Sequence, residues 1–177
     1  MEELTMEALA ADEKEELIDD IMNRFGQEIL QLTFSYVNNK AIAEDLTQDI
    51  FVKCYKNLHT YNGKSKFRTW LWRIAINHCK DYLKSWYNKN VVPSEEEPEL
   101  SVTNKETVEE AVIQKEADDQ LISAIMSLPI KYREVIYLHY YEDYPIKEIA
   151  QLTDVNNNTV KTRLRRAKEL LKERLEG

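Results

Sequence analysis

Apolar residues recur along most of this chain every three or four positions, the spacing of one face of an α-helix. Over about residues 13–38 the stripe is Leu17, Ile18, Ile21, Phe25, Ile29, Leu32 and Tyr36. Asn38-Asn39-Lys40 reads as a turn, and a second helix is expected over about 41–58 with Ala43, Leu46, Ile50 and Tyr55 inward. Tyr61-Asn62-Gly63-Lys64-Ser65-Lys66 is a loop by composition. A third helix follows over about 67–87, its stripe formed by Phe67, Trp70, Leu71, Ile74, Ala75, His78 and Tyr82. The period then breaks at Val91-Val92-Pro93-Ser94-Glu95-Glu96-Glu97-Pro98, an acidic, proline-interrupted stretch expected to be a flexible linker. Helical spacing resumes near residue 108 with Val108, Val112 and Ile113 and runs through Leu121, Ile122, Ile125 and Leu128, where Leu128-Pro129 ends it. Another helix, Lys131–Tyr141, holds Val135, Ile136 and Leu138 inside.

The last part of the chain has a more specific pattern. Pro145–Leu152 reads as a short support helix, 153–158 as a polar turn, and Thr159 as the start of a longer helix. Val160, Leu164, Ala167 and Leu171 form its apolar seam. Lys161, Thr162, Arg165 and Arg166 fall off that seam. A helix-turn-helix lays its second helix in the major groove, reading base edges and binding phosphates with such cations. The plain alternative is an amphipathic hairpin with a solvated basic face.

No strand pattern or internal repeat stands out, and 3 glycines and 4 prolines in 177 residues suit long helices better than a turn-rich β architecture. The expected fold is all-α: two small helical domains joined by a flexible acidic linker, the C-terminal one a helix-turn-helix. The divisions fall at 1–12 (a frayed, disordered N-terminus), 13–88, 89–107 (the linker) and 108–177. No run of about 18 apolar residues offers a membrane span. The acidic opening Met1-Glu2-Glu3 is unlike a secretory signal. Cys54 and Cys79 lack CxxC spacing and read as reduced thiols of a cytoplasmic protein.

The net charge of −8 argues superficially against a nucleic-acid partner, but its distribution reverses that argument. Residues 61–89 hold 7 Lys/Arg against 1 Asp/Glu, and residues 156–175 hold 7 against 2. Between them, residues 92–119 hold 2 against 10, while residues 1–51 hold 3 against 13. Screening confines charge effects to about 8–10 Å at ordinary salt, so local blocks decide where a polyanion lands. Two basic blocks fit two separate DNA contacts.

The first block interleaves cations with aromatics from Lys64 to Lys84, the mixture that grips phosphates and stacks on unpaired bases. Phe67, Trp70 and Tyr82 are better read as core, whereas the glycine-containing loop Asn62–Lys66 is placed to close over a flipped base. The second helix carries Glu44, Asp45, Gln48, Asp49, Val52, Lys53 and Lys56, either a solvated surface or a docking face for another protein. His59, His78 and His139 are scattered, and neither a phosphate loop nor GxSxG occurs. No catalytic site, metal site or cofactor is expected, and the chain is not read as an enzyme.

Three blocks taken together resemble the extracytoplasmic-function (ECF) class of bacterial sigma factors, in the sigma-70 superfamily. They are Ala43-Glu-Asp-Leu-Thr-Gln-Asp-Ile-Phe-Val52, Phe67-Arg-Thr-Trp-Leu-Trp-Arg-Ile-Ala-Ile-Asn77, and Leu128-Pro-Ile-Lys-Tyr-Arg-Glu-Val-Ile-Tyr-Leu138 followed by the helix-turn-helix. The resemblance covers nearly the whole chain after the first dozen residues, without the extra domains of housekeeping sigma factors. It implies that 13–88 is sigma region 2 and 108–177 sigma region 4. It implies that Asp45, Gln48, Asp49, Phe51 and Val52 dock on core RNA polymerase. Asn62, Gly63, Lys64, Lys66, Arg68, Trp72, Arg73 and Asn77 would read the −10 element as single strand and hold it open. Thr159, Lys161, Thr162, Arg163, Arg165 and Arg166 would read the −35 element as duplex. The resemblance further implies a linker threading the RNA exit path, stress or envelope-response target genes, and a membrane-anchored anti-sigma factor as partner. Many relatives carry a glycine before the recognition helix; here Asn157 or Asn158 is expected to take that left-handed backbone angle. A helix-turn-helix repressor acting without polymerase, on a palindromic site, is the alternative.

Overall fold

The computed structural model describes residues 14–90 and 116–176. The disordered N-terminus, the flexible linker and the helical spacing at Val108, Val112 and Ile113 all fall outside the described residues. Among those described there are seven α-helices and no strand. They are α1 (Lys14–Val37), α2 (Lys40–Asn57), α3 (Phe67–Asn90), α4 (Glu116–Met126), α5 (Ile130–Ile136), α6 (Ile146–Thr153) and α7 (Asn157–Glu176). No helix among the described residues is long and apolar enough to cross a membrane.

α1, α2 and α3 pack against one another as an N-terminal unit. The α1 stripe is buried as its spacing requires, at Leu17, Ile21, Phe25, Ile29, Leu32 and Tyr36. The Asn38-Asn39 turn divides its labour between two asparagines. Asn38 takes a left-handed φ of 50°, which a short polar side chain tolerates. Asn39 Oδ1 accepts the Ile42 N–H at 3.0 Å and caps α2.

Two faces differ from expectation. In α2 the inward residues are Ala43, Leu46, Ile50, Phe51 and Cys54, and Tyr55 points outward. In α3 the buried set is Phe67, Leu71, Trp72, Ala75, Ile76, Cys79 and Leu83, while Trp70, Ile74, His78 and Tyr82 are half-buried at its flank. The core face is rotated by about one residue, roughly 100° on the helical wheel. The sequence left the choice open because α3 carries apolar side chains on both flanks, and the packing of Phe25 against Trp72, 5.8 Å between ring centroids, settles it.

The C-terminal unit is built by α4, α5 and α6 around α7. Pro129 and Pro145 cap the starts of α5 and α6, where a missing N–H costs nothing. Leu128, Val135, Leu138, Ile149, Leu152, Val160, Leu164 and Ala167 form the core, whereas Leu121 and Ile122 on α4 are exposed. The helix expected to run to Tyr141 changes at Tyr137 into a π-turn through Tyr141, and Asp143 follows with a left-handed φ of 59°. The residue with positive φ in the helix-turn-helix is Asp154 (φ 58°), not Asn157 or Asn158. It ends α6, and Val155 N–H then reaches back to the Ala150 carbonyl at 3.1 Å. Asn157 and Asn158 are already helical, and Asn156 Oδ1 caps α7 by accepting from Thr159 N at 2.7 Å and Thr159 Oγ1 at 2.9 Å.

Candidate nucleic-acid interface

The α7 ridge emerges as drawn from the sequence. Lys161, Thr162, Arg165 and Arg166 are exposed, and Arg163 and Thr159 are half-buried. Burial of Val160, Leu164 and Ala167, on a helix packed against α4, α5 and α6, fixes which way that ridge faces. Arg166 Nη1 lies 3.1 Å from Glu169 Oε2 one turn on, a surface pair that holds the guanidinium without neutralising the whole ridge. Lys161 and Arg165 also line, with Lys168 and Lys172, a shallow basic groove closed by His139 and Ile146.

The second basic region divides into two faces. The loop before α3 is anchored by Tyr61, whose ring meets Phe67 and Trp70 at 5.4 and 5.5 Å and whose hydroxyl donates to the Ser65 carbonyl at 2.7 Å. Gly63 sits at φ 76°, where a side chain would be strained, and Asn62 Oδ1 accepts the Lys64 N–H at 3.0 Å. This leaves Asn62, Gly63, Lys64 and Lys66 exposed. Beside the loop opens a cleft of about 310 Å³ lined by Lys53, Asn57, Thr60, Trp70, Ile74, Asn77 and His78. It offers a ring face, two amides, a hydroxyl and an ammonium group, the combination that holds an unpaired base and its phosphate. Of the expected strand-contact residues, only Asn77 lines it. Lys53, Asn57, Thr60, Trp70 and His78 were not singled out for this role, and only the mixed polar and aromatic composition hinted at them.

Three expected contacts are corrected. Trp72 is fully buried, so it is a core residue, and Trp70 takes the half-exposed place beside the cleft. Arg68 lies nine positions before Asn77, about 180° round the helix, so it faces the other way. Its guanidinium stacks 3.9 Å over the Trp72 ring and meets Glu28 and Glu142. Phe51 is buried in the core of the N-terminal unit and supports α2 without being presented by it. Arg73 is exposed, with one N–H donated to the Gln151 carbonyl at 3.1 Å.

On α2, Asp45, Gln48, Asp49 and Val52 are exposed at spacings of three and four residues, so they share one face. Val52 is 51% exposed, an apolar spot within an acidic rim. Asp49 approaches His78 at 3.6 Å, too far for a hydrogen bond. Burial, then the Lys53 charge, hold His78 below its ordinary range despite Asp49 and Asp81.

Residues 21–87 match the family model described as Sigma-70 region 2, and residues 118–171 the one described as Sigma-70, region 4. The ECF RNA polymerase sigma factor SigW of Bacillus subtilis is 32% identical over 163 residues, covering 88% of this chain and 87% of that protein. This chain belongs to the ECF sigma factors. RNA polymerase sigma factor SigV of the same organism is 32% identical over 149 residues, covering 82% of this chain and 83% of SigV. The fold of this sigma factor is shared with the Bartonella quintana sigma factor RpoE, solved in complex with the anti-sigma factor NepR. The TM-score is 0.69 at 18% identity, covering 89% of this chain and 96% of RpoE. Function as an RNA polymerase sigma factor follows from the family, and the repressor alternative falls away.

Proposed function

We propose that this sigma factor joins core RNA polymerase, aligns it on two promoter elements and stabilises strand opening, with residues 13–88 acting as region 2 and 108–177 as region 4. The observation that carries the reading is the pairing of two different nucleic-acid surfaces on one chain. One is a cleft beside a basic loop, suited to unpaired bases. The other is a regular cationic ridge on a recognition helix, suited to duplex. Asn62, Gly63, Lys64, Lys66, Arg73 and Asn77, joined by Lys53, Asn57 and Trp70, meet the −10 strand. Thr159, Lys161, Thr162, Arg163, Arg165 and Arg166 meet the −35 duplex. Asp45, Gln48, Asp49 and Val52 form the polymerase-docking face.

Opening proceeds by differential binding. Unstacking a base costs a few kcal/mol, and the cleft offsets that cost only when the base is out of the duplex. The chain therefore needs no catalytic group and acts as a cytoplasmic partner of polymerase. The anti-sigma complex formed by its structural relative RpoE supports control by an anti-sigma factor. By kinship with the family, that factor covers these faces and is tethered to the membrane, and the targets are stress or envelope-response genes. Permanganate footprinting of holoenzyme on a cognate promoter tests the assignment. Wild type makes −10 thymines reactive, whereas Asn77→Ala leaves them closed while still protecting the −35 element. Equal opening by both proteins would remove the cleft from the mechanism.

A further inference from the structure

The hydrogen bonds already made inside the cleft beside the loop determine what it has left to offer a base. Asn57 Nδ2 donates to the Lys53 carbonyl at 2.8 Å. A carbonyl only accepts, so the amide orientation is set and Oδ1 is its unspent atom. The Thr60 hydroxyl donates to the Asn57 carbonyl at 2.7 Å, which spends its proton and leaves its lone pairs. Both oxygens lie at the C-terminal end of α2, where the last helix carbonyls add partial negative charge. Lys53, one turn earlier on the same wall, can only donate. One wall of the cleft therefore carries two acceptors followed by a donor.

The other lining groups do not discriminate among bases. Trp70 and Ile74 offer apolar faces to any of them. Asn77 carries both a donor and an acceptor and serves either kind of edge. The two ring nitrogens of His78 are sealed without a hydrogen-bond partner, so His78 forms wall and reads nothing.

An exocyclic amine has two N–H groups, one for Asn57 Oδ1 and one for Thr60 Oγ1. A ring nitrogen beside that amine accepts from Lys53 Nζ. Cytosine and adenine carry this pair on their Watson–Crick edges. Thymine and guanine carry a carbonyl in place of the amine and an N–H in place of the ring acceptor. Their carbonyl would face two acceptors and their N–H an ammonium donor, leaving polar groups unpaired on both sides.

We propose that the cleft captures a cytosine or an adenine, read by its exocyclic amine, and rejects thymine and guanine. Asn57 and Thr60 are its specificity-determining residues. The inference rests on the promoter reading above and adds the chemical class of the captured base.

The test measures binding of holoenzyme, the full chain with core polymerase, to forked promoters. These are duplex through the −35 element and single-stranded over the −10 non-template strand. Each −10 position in turn carries cytosine or uracil, then adenine or hypoxanthine. Each pair exchanges the amine for a carbonyl, and the ring acceptor for an N–H, at unchanged ring size. At one position the amine form is expected to bind about tenfold tighter, within the range of one well-made base contact. Whichever amine binds tighter there identifies the base. Thr60→Val lowers that ratio severalfold, Thr60→Ser keeps it, and Asn57→Ala with Thr60→Val brings it close to one. Both side chains are exposed, and the wild-type scan alone decides the preference if a variant loses its helical circular dichroism. Forks that bind equally well with amine and carbonyl at every position overturn the inference and leave the promoter reading standing. So does a preference that survives Asn57→Ala with Thr60→Val. Holoenzyme that retains no fork at all overturns both.

Discussion

At the scale of single residues, burial decides which side chains act. Trp70 and Trp72 are two positions apart in one basic, aromatic helix, and sequence alone assigned them the reverse of their places. Periodicity locates a stripe but tolerates an error of one residue when both flanks are apolar, as Ile74 and Ile76 make them here. The α7 ridge was legible because its neighbours Val160, Leu164 and Ala167 leave one choice. Lys161→Ala and Arg166→Ala are each expected to weaken −35 binding by about 1–3 kcal/mol where a base edge is read. A change that only touches phosphate instead lowers the salt slope by about 1, and competition titrations at several salt concentrations separate the two. Burial also pushes the Cys54 and Cys79 thiols up to about 12. Both are therefore expected to resist iodoacetamide at pH 8 in the native chain and to react once unfolded, as intact mass would show.

At the scale of elements, most helix ends were legible, because Asn, Pro and Gly carry the turns. What was not legible was the division of roles among neighbouring polar residues. Asp154, Asn156, Asn157 and Asn158 all tolerate a turn, and only the folded chain distinguishes the left-handed stop from the cap. Asn156→Ala is expected to cost about 1 kcal/mol by leaving the Thr159 N–H without its acceptor, measured by urea unfolding. Gly26 lies within α1, and a Cβ built there meets nothing within 4 Å. Gly26→Ala is therefore expected to stabilise the chain by about 0.5–1 kcal/mol with unchanged fold. A loss of stability would contradict the open space around Gly26.

At the scale of the whole molecule, the two-unit plan was legible from charge blocks and the proline-broken acidic stretch, while the contact between the units was not. Arg133 and Glu134 are each 3% exposed, yet nothing in Lys131-Tyr132-Arg133-Glu134 distinguishes them from a solvated pair. The partners of Glu134 are remote in sequence, as the 98 positions between it and Tyr36 illustrate. His78 gives a pH signature of the N-terminal unit. The folded state holds it below the ordinary 6.5, so as pH falls through 6.5 the unfolded chain takes up the proton first and stability declines. Melting temperatures between pH 5 and 7.5 should fall less steeply for His78→Gln than for wild type.

The central claim, that this chain directs polymerase to two-part promoters, is met most directly by run-off transcription from a pool of genomic fragments with purified core polymerase. The account predicts transcripts that depend on the protein and start downstream of a shared −35 and −10 motif. Duplex binding by the protein alone, with no transcript above core polymerase, would contradict it.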